Sequence, residues 1–459
     1  MKKETSWTKY KASDINKLNS IANDYKKFIS NNKTEREIVK EVIKRAKEKG
    51  YVDLDELIKN NTPITSGDKI YVNNRGKSIA LFVIGEEPLE NGMNILGAHI
   101  DSPRLDLKAN PLYEDNGFAY FDTHYYGGIK KYQWVTLPLA IHGVIAKKDG
   151  KVLNICIGEK ETDPVVGITD LLPHLAQDQM KKEASKVVEG ENLDLLIGSR
   201  PNNSEEDKVK GYILDLLKEK YNIEEEDFLS AELEIVPAGP ARDYGLDKSM
   251  VMAYGQDDKV CAFTSLKAIL EINKVKRTSS CILVDKEEIG SVGATGMESN
   301  FYENALNEIH RLMGNESYLA TPRTLRNSYM LSSDVNAGFD PLYKEVMEMN
   351  NSSFLGKGLV FSKYTGSRGK AMSNDANAEY IAKIRKVMDD NNISFQISEL
   401  GKVDVGGGGT IAYILANRSV EVIDAGVPLL SMHAPWEVTS KADLYEAYLG
   451  YISFLKEMK

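Results

Sequence analysis

Residues 251–288 read VMAYGQDDKVCAFTSLKAILEINKVKRTSSCILVDKEE, and the architecture follows from this stretch. Residues 251–254 and 281–284 are short apolar runs, while 260–272 carries its apolar residues at helical spacing. Strand, helix and strand in succession predict an α/β unit. Both runs lead into paired acids, Asp257-Asp258 after the first and Glu287-Glu288 after the second. The same alternation continues to residue 459, with apolar runs at 329–331, 393–397 and 420–423 and helical patterns at 378–387 and 410–416. The expected fold is an α/β sheet with helices on both faces.

Upstream, Thr34-Glu35-Arg36-Glu37 is a capping box that opens a helix through Ile38, Val39, Val42, Ile43 and Ala46, with Gly50 as its stop. Residues 70–72 and 78–83, joined by Asn73-Asn74-Arg75-Gly76, read as a hairpin. Residues 94–98 form a short apolar run typical of a buried central strand. From 108 to 245 the texture shifts to Gly, Tyr and alternating strands, with one polar helix around Asp207, Ile213 and Leu216-Leu217 and a strand at 228–236. The predicted domains are therefore a catalytic domain in two parts, 1–107 and 246–459, interrupted by a β-rich insertion at 108–245.

The 459 residues suit two or three domains, and 42% hydrophobic content is enough for a real core. A net charge of −10 argues against a nucleic-acid partner. No apolar stretch approaches the roughly 18 residues of a membrane span, and the start from Met1 to Trp7 lacks the apolar segment of a secretory signal. Cys156, Cys261 and Cys281, odd in number and set in apolar context, read as buried reduced thiols of a cytoplasmic protein.

Five apolar runs end in an acid or a histidine: His99-Ile100-Asp101, Asp257-Asp258, Glu287-Glu288, Asp334 and His433. Ligands of open α/β sheets gather beyond the carboxyl ends of the strands. If the five runs are neighbours, they bring imidazole and carboxylate to one place, a donor set for zinc, with manganese or cobalt as substitutes. Singly, each has a plainer reading: a packed histidine, a solvated acidic face or a helix N-cap pair. A dinuclear hydrolytic site needs five ligands and one unligated base. His99, Asp257, Glu287, Glu288, Asp334 and His433 match that count.

Four motifs in order resemble the aspartyl aminopeptidase family, metallopeptidase family eighteen, in a bacterial form. They are His99-Ile100-Asp101-Ser102-Pro103-Arg104, Gly255-Gln256-Asp257-Asp258-Lys259-Val260-Cys261, Asp285-Lys286-Glu287-Glu288-Ile289-Gly290-Ser291 and Ser431-Met432-His433-Ala434. Pro237-Ala238-Gly239-Pro240-Ala241-Arg242-Asp243 and Ser332-Ser333-Asp334 extend the match over nearly the whole chain. The resemblance implies a zinc-peptidase-like mixed sheet and two Zn2+ ions per subunit. Asp257 would bridge them, His99 and Asp334 would complete one ion, and Glu288 and His433 the other. Glu287 would be the general base acting on the bridging water, and Asp101 would orient the His99 ring. The implied reaction is hydrolysis of the N-terminal residue of peptides, with a preference for acidic residues. A co-catalytic zinc deacylase or carboxypeptidase, or an inactive oligomeric scaffold, are the alternatives.

The remaining histidines read mostly as structural: His124 on a Tyr-rich loop, His142 on a strand and His310 on a helix. His174 has two readings, a packing residue or, as in relatives, a substrate contact in a neighbouring subunit. Lys363 and Arg368 are either partners for an acidic substrate side chain or solvated cations. The glycines at 406–409 lack the ending of a phosphate-binding loop and suit close approach of a peptide. Tyr125, Tyr126, Tyr132 and Trp134 mark the insertion as interface material. The resemblance adds dimerisation through the insertion and a homo-oligomer of twelve subunits.

Overall fold

A computed structural model describes residues 4–203 and 206–459; the first three residues of the start considered above lie outside that range. The chain forms two compact units. The first comprises Met1–Asp101, Ala241–Met432 and Glu437–Lys459, and the second Ser102–Pro240 with His433–Trp436.

The first unit is built on a nine-stranded mixed sheet. At its centre, Met93–His99 lies between Thr278–Val284 and Tyr329–Ser332, parallel to both. Ser78–Val83 adds an antiparallel neighbour on one side, and its hairpin partner is Lys69–Asn74. Each residue of Met93–His99 is buried, because both faces of the sheet are covered.

Alternation along the strands sends side chains to two separate cores. Leu81, Leu96, Ala98, Leu283 and Leu331 face one core, shared with the helices Ala12–Asn31, Gln256–Glu271 and Lys441–Glu457. Ala80, Phe82, Ile95, Ile282 and Met330 face the other, shared with Phe301–Leu312 and Ala320–Arg326. Helices thus cover both faces. In the first core, Phe263 meets Tyr25 and Phe28 with ring centroids 5.3 Å apart in each pair. Such pairs add about 0.5–1.5 kcal/mol each beyond their burial. The capping box forms as expected: Thr34 accepts from the Glu37 N–H and Glu37 reaches back to the Thr34 N–H.

A smaller five-stranded sheet contains Met250–Ala253, Glu437–Ser440 and Pro428–Leu430. The runs before Asp257 and His433 are therefore not neighbours of the other three, which corrects the single-sheet expectation. Two sheets each of locally strand-like runs cannot be told apart from residue pattern.

The second unit is a six-stranded antiparallel sheet in the order Val152–Ile157, Leu139–Ala146, Ala231–Pro237, Arg104–Asp115, Phe118–Tyr126, Leu195–Gly198. Phe228 belongs to the 3-10 turn Glu225–Ser230, so the last strand starts at Ala231 rather than 228. His124 sits on the strand Phe118–Tyr126, not on a loop. Cys156 is exposed, whereas Cys261 and Cys281 are buried. Its strand is at the sheet edge, where one side of the alternation faces solvent.

Candidate active site and metal centre

His99 is the last residue of its strand and the register partner of Val284. The chain beyond Val284 therefore delivers Asp285, Glu287 and Glu288 beside the imidazole. Gly97 pairs with Ser332 on the other side, which brings Asp334, two residues further on, to the same strand end. Glu287–Ile289 forms a single 3-10 turn flanked by Lys286 and Gly290, both at positive φ. Lys286 has a side chain and still adopts φ +69°, a sparsely populated conformation typical of positions with a functional constraint.

Asp101 organises this turn. Its Oδ1 accepts the Glu287 backbone N–H and its Oδ2 the Glu288 N–H, at 3.2 Å each. The same carboxylate approaches His99 Nδ1 at 3.3 Å, and the Asp101 carbonyl lies 3.1 Å from that nitrogen. His99 thus directs Nδ1–H toward Asp101 and turns Nε2 toward Asp257 Oδ1, 3.1 Å away, and Glu287 Oε2, 3.9 Å away. A ligating histidine needs this arrangement, with one ring nitrogen donating and the other offering a lone pair.

Asp257 and Asp258, joined by a cis peptide bond, open the helix Gln256–Glu271. The Asp257 N–H donates to Glu437 Oε2 at 3.1 Å. Gln256 donates to the Glu437 carbonyl at 2.6 Å and to the Val251 carbonyl at 3.2 Å, and accepts from Tyr25 Oη at 3.0 Å. The turn carrying the acids is therefore tied to the small sheet and to the first helix. Glu437, Gln256, Tyr25 and Asp258 are site residues that the motif reading did not assign. Glu437 lies four residues after His433 and Gln256 directly precedes Asp257, so sequence proximity was the available signal for these two.

The donor set fits a divalent cation. Ligand atoms of His99, Asp258 and Asp334 lie within 4.8 Å of one another, as do those of His99, Glu287 and Glu288. Asp258 is fully buried, beside the Cys261 thiol and the charges of His99 and Asp257. Burial, with the Asp257 charge adding to it, holds the Asp258 acid well above the usual carboxylate range. Asp334 is raised in the same way, by burial first and then by Asp258. Burial works against a charged His99 ring, yet hydrogen bonds to Asp101 and Asp257 carry its pKa well above the usual histidine range, so Nε2 holds a proton toward Asp257 whose place a bound cation would take. Crowded buried carboxylates of this kind are stabilised by a cation with several open coordination positions.

His433, in the second unit, is held at φ +63°. Its Nδ1 lies 2.8 Å from the Gly128 carbonyl, so Nδ1–H donates and Nε2 keeps its lone pair. A side chain at Gly128 would start only 3.4 Å from that ring nitrogen. His174 is exposed, in a segment where Leu171, Leu172, Leu175 and Met180 are exposed too. Lys363 forms an ion pair with Asp375 at 2.6 Å, and Lys370 takes the other oxygen at 2.9 Å. Arg368 sits at φ +46° in the following loop. His142 lies 3.0 Å from Glu159, and His310 Nε2 lies 2.8 Å from the Thr324 hydroxyl; both are structural contacts.

A model of the family described as aminopeptidase I zinc metalloprotease (M18) matches residues 28–455. The chain belongs to this family. A probable M18 family aminopeptidase 1 of Clostridium acetobutylicum is 58% identical over 454 residues, covering 98% of each chain. The crystal structure of an M18 aminopeptidase from Thermotoga maritima is 45% identical, with a TM-score of 0.94 and complete coverage of both chains. Aminopeptidase I from Clostridium acetobutylicum gives a TM-score of 0.91 at 55% identity, again over both whole chains. A structure titled as the S. cerevisiae mApe1 dodecamer shares the fold at 21% identity, with a TM-score of 0.77 over 95% of this chain and 97% of that one. The protein is a metallo-aminopeptidase of the M18 family, and the deacylase, carboxypeptidase and scaffold alternatives give way to that assignment. No helix among the described residues is long and apolar enough to cross a membrane.

Proposed function

We propose that the protein removes the N-terminal residue of peptides using two zinc ions, with Glu287 as general base. His99, Asp257, Glu288, Asp334 and His433 would hold the ions, Asp257 serving both. Bound zinc lowers the pKa of a water molecule and polarises the scissile carbonyl. Glu287 takes the proton from the attacking water and passes it to the leaving amine. Asp101 keeps the His99 ring oriented, and its grip on the Glu287 and Glu288 backbone makes base and ligand one rigid turn. The Glu437 hydrogen bond fixes the Asp257 backbone. The observation that carries this reading is the single carboxylate, Asp101, that contacts His99, Glu287 and Glu288 together.

A preference for acidic N-terminal residues is supported by Lys363 and Lys370, two cations that share the single carboxylate of Asp375. Their hydrogen bonds, and after them their charges, hold Asp375 below the usual carboxylate range, and the trio keeps net positive charge for an acidic side chain. We also assign the second unit to self-association into a homo-oligomer, with a dodecamer as the specific state. Its support is the exposed apolar segment around His174 and the dodecameric yeast relative. The cytoplasmic assignment rests on cysteines kept as thiols.

The decisive experiment is Glu287→Gln, which keeps size and removes the proton acceptor. Turnover of aminoacyl-chromophore substrates is expected to fall by about 10²–10⁴-fold, with bound zinc retained. Near-normal turnover would remove Glu287 from the role of base.

A further inference from the structure

A cavity of about 710 Å³ opens in the first unit at the amino end of the strand Thr278–Val284. The strand has seven residues, so the cavity is roughly 20 Å from Glu287 at the other end. Its floor is apolar, formed by Val275, Val387 and Met458, all buried. Its rim carries six lysines, Lys274, Lys276, Lys383, Lys386, Lys456 and Lys459, against three side-chain carboxylates. In a chain of net charge −10, that is a local reversal of sign.

Two of the three carboxylates are already engaged, and Glu86 is the third. Asp390 pairs with Lys386 at 2.5 Å, and Glu457 accepts from Asn391 at 2.8 Å. Lys383 donates to the Tyr329 hydroxyl and to the Lys459 carbonyl. Among the described residues, Lys274, Lys276 and Lys456 have no acidic partner within 4.0 Å. Lys456 has a simpler role, since it lies in the last turn of the helix Lys441–Glu457 and complements its dipole. Lys274 and Lys276 lie on no helix and have no such role. Lysines converging on a concave wall raise the local concentration of anions, and an apolar floor below them suits a ligand that is not a single small ion.

We propose that this cavity binds a phosphate chain of two or more units, free or as part of a nucleotide. The test is calorimetric titration of the full-length, zinc-loaded protein with inorganic tripolyphosphate, ATP and AMP. Sulfate at matched ionic strength serves as the control, and the double variant Lys274→Gln, Lys276→Gln is titrated in parallel. Tripolyphosphate is expected to bind at least tenfold tighter than sulfate, to weaken as salt rises, and to lose at least tenfold in the double variant. Zinc stripped by phosphate would affect both proteins alike, so their difference isolates the cavity. ATP binding tenfold tighter than tripolyphosphate would assign the nucleotide form, and equal or weaker ATP binding the free chain. Binding no tighter than sulfate, or unchanged binding in a double variant with normal peptidase activity, would overturn the proposal.

Discussion

The backbone N–H of Asp257 donates to the carboxylate of Glu437, 3.1 Å away and 180 residues later in the chain. Glu437 is 1% exposed, so this bond is made out of water and fixes the turn that carries the proposed bridging acid. Glu437→Ala is expected to weaken zinc binding by about 10–100-fold, the usual range for residues that hold a ligand in place. Glu437→Gln retains an acceptor and is expected to restore most of the loss. Competition with a chromogenic chelator measures both. Equal zinc affinity in the alanine variant and wild type would assign Glu437 to packing alone.

Metal removal gives a second prediction. Chelation is expected to abolish turnover, with zinc, manganese or cobalt restoring it. Asp257→Ala should lose more metal than His433→Ala, because Asp257 is proposed to serve both ions. Elemental analysis beside activity checks this, and full turnover by protein shown to be metal-free would refute it.

Asp424 supplies a pH signature of stability. It is buried on the strand Glu421–Gly426, and burial raises its carboxyl to about 7 from an ordinary value of 3.8. Between those values the folded chain holds a proton that the unfolded chain releases, so this group's contribution to stability falls as pH rises through that window. Asp424→Asn cannot ionise. Its melting temperature relative to wild type is expected to increase from pH 5 to pH 7, measured at one scan rate. A constant difference would mean that Asp424 does not titrate there.

Assembly is checked by light scattering at low micromolar concentration. A particle near twelve times 51.2 kDa is expected, and a monomer peak would end the oligomer proposal. If His174 acts in a neighbouring subunit, His174→Ala should keep the assembly and reduce turnover. Full turnover in an intact assembly would return His174 to a packing role.

Local pattern made much of the first unit legible. The Thr34–Glu37 capping box, the hairpin and the runs 94–98, 281–284 and 329–331 are encoded within a few residues each; the box and hairpin form, and the runs lie within the strands Met93–His99, Thr278–Val284 and Tyr329–Ser332. Long-range pairing was not legible. The strand Pro428–Leu430 looks like any other apolar run, yet it joins the smaller sheet. Tyr25 reaches Gln256 across 231 positions, and no spacing rule connects them. Cys156 sits among apolar neighbours, but only knowledge that its strand is an edge reveals its exposure. At the site, the motifs named the acids and histidines while leaving out the groups that hold them, because buried hydrogen-bond partners are chosen by tertiary proximity.

The central strand has a consequence for biosynthesis. Met93–His99 is flanked by Thr278–Val284 and Tyr329–Ser332, segments synthesised about 185 and 235 residues later. A nascent chain that has just emitted His99 has neither sheet neighbour to pair with. Long-range strand pairing of this kind is slow and late. The imidazole therefore waits through most of translation without the acids that accompany it in the finished protein. On the proposed ligand set, hydrolytic competence arrives only after His433 has left the ribosome, which separates the making of this peptidase from the moment it can cut.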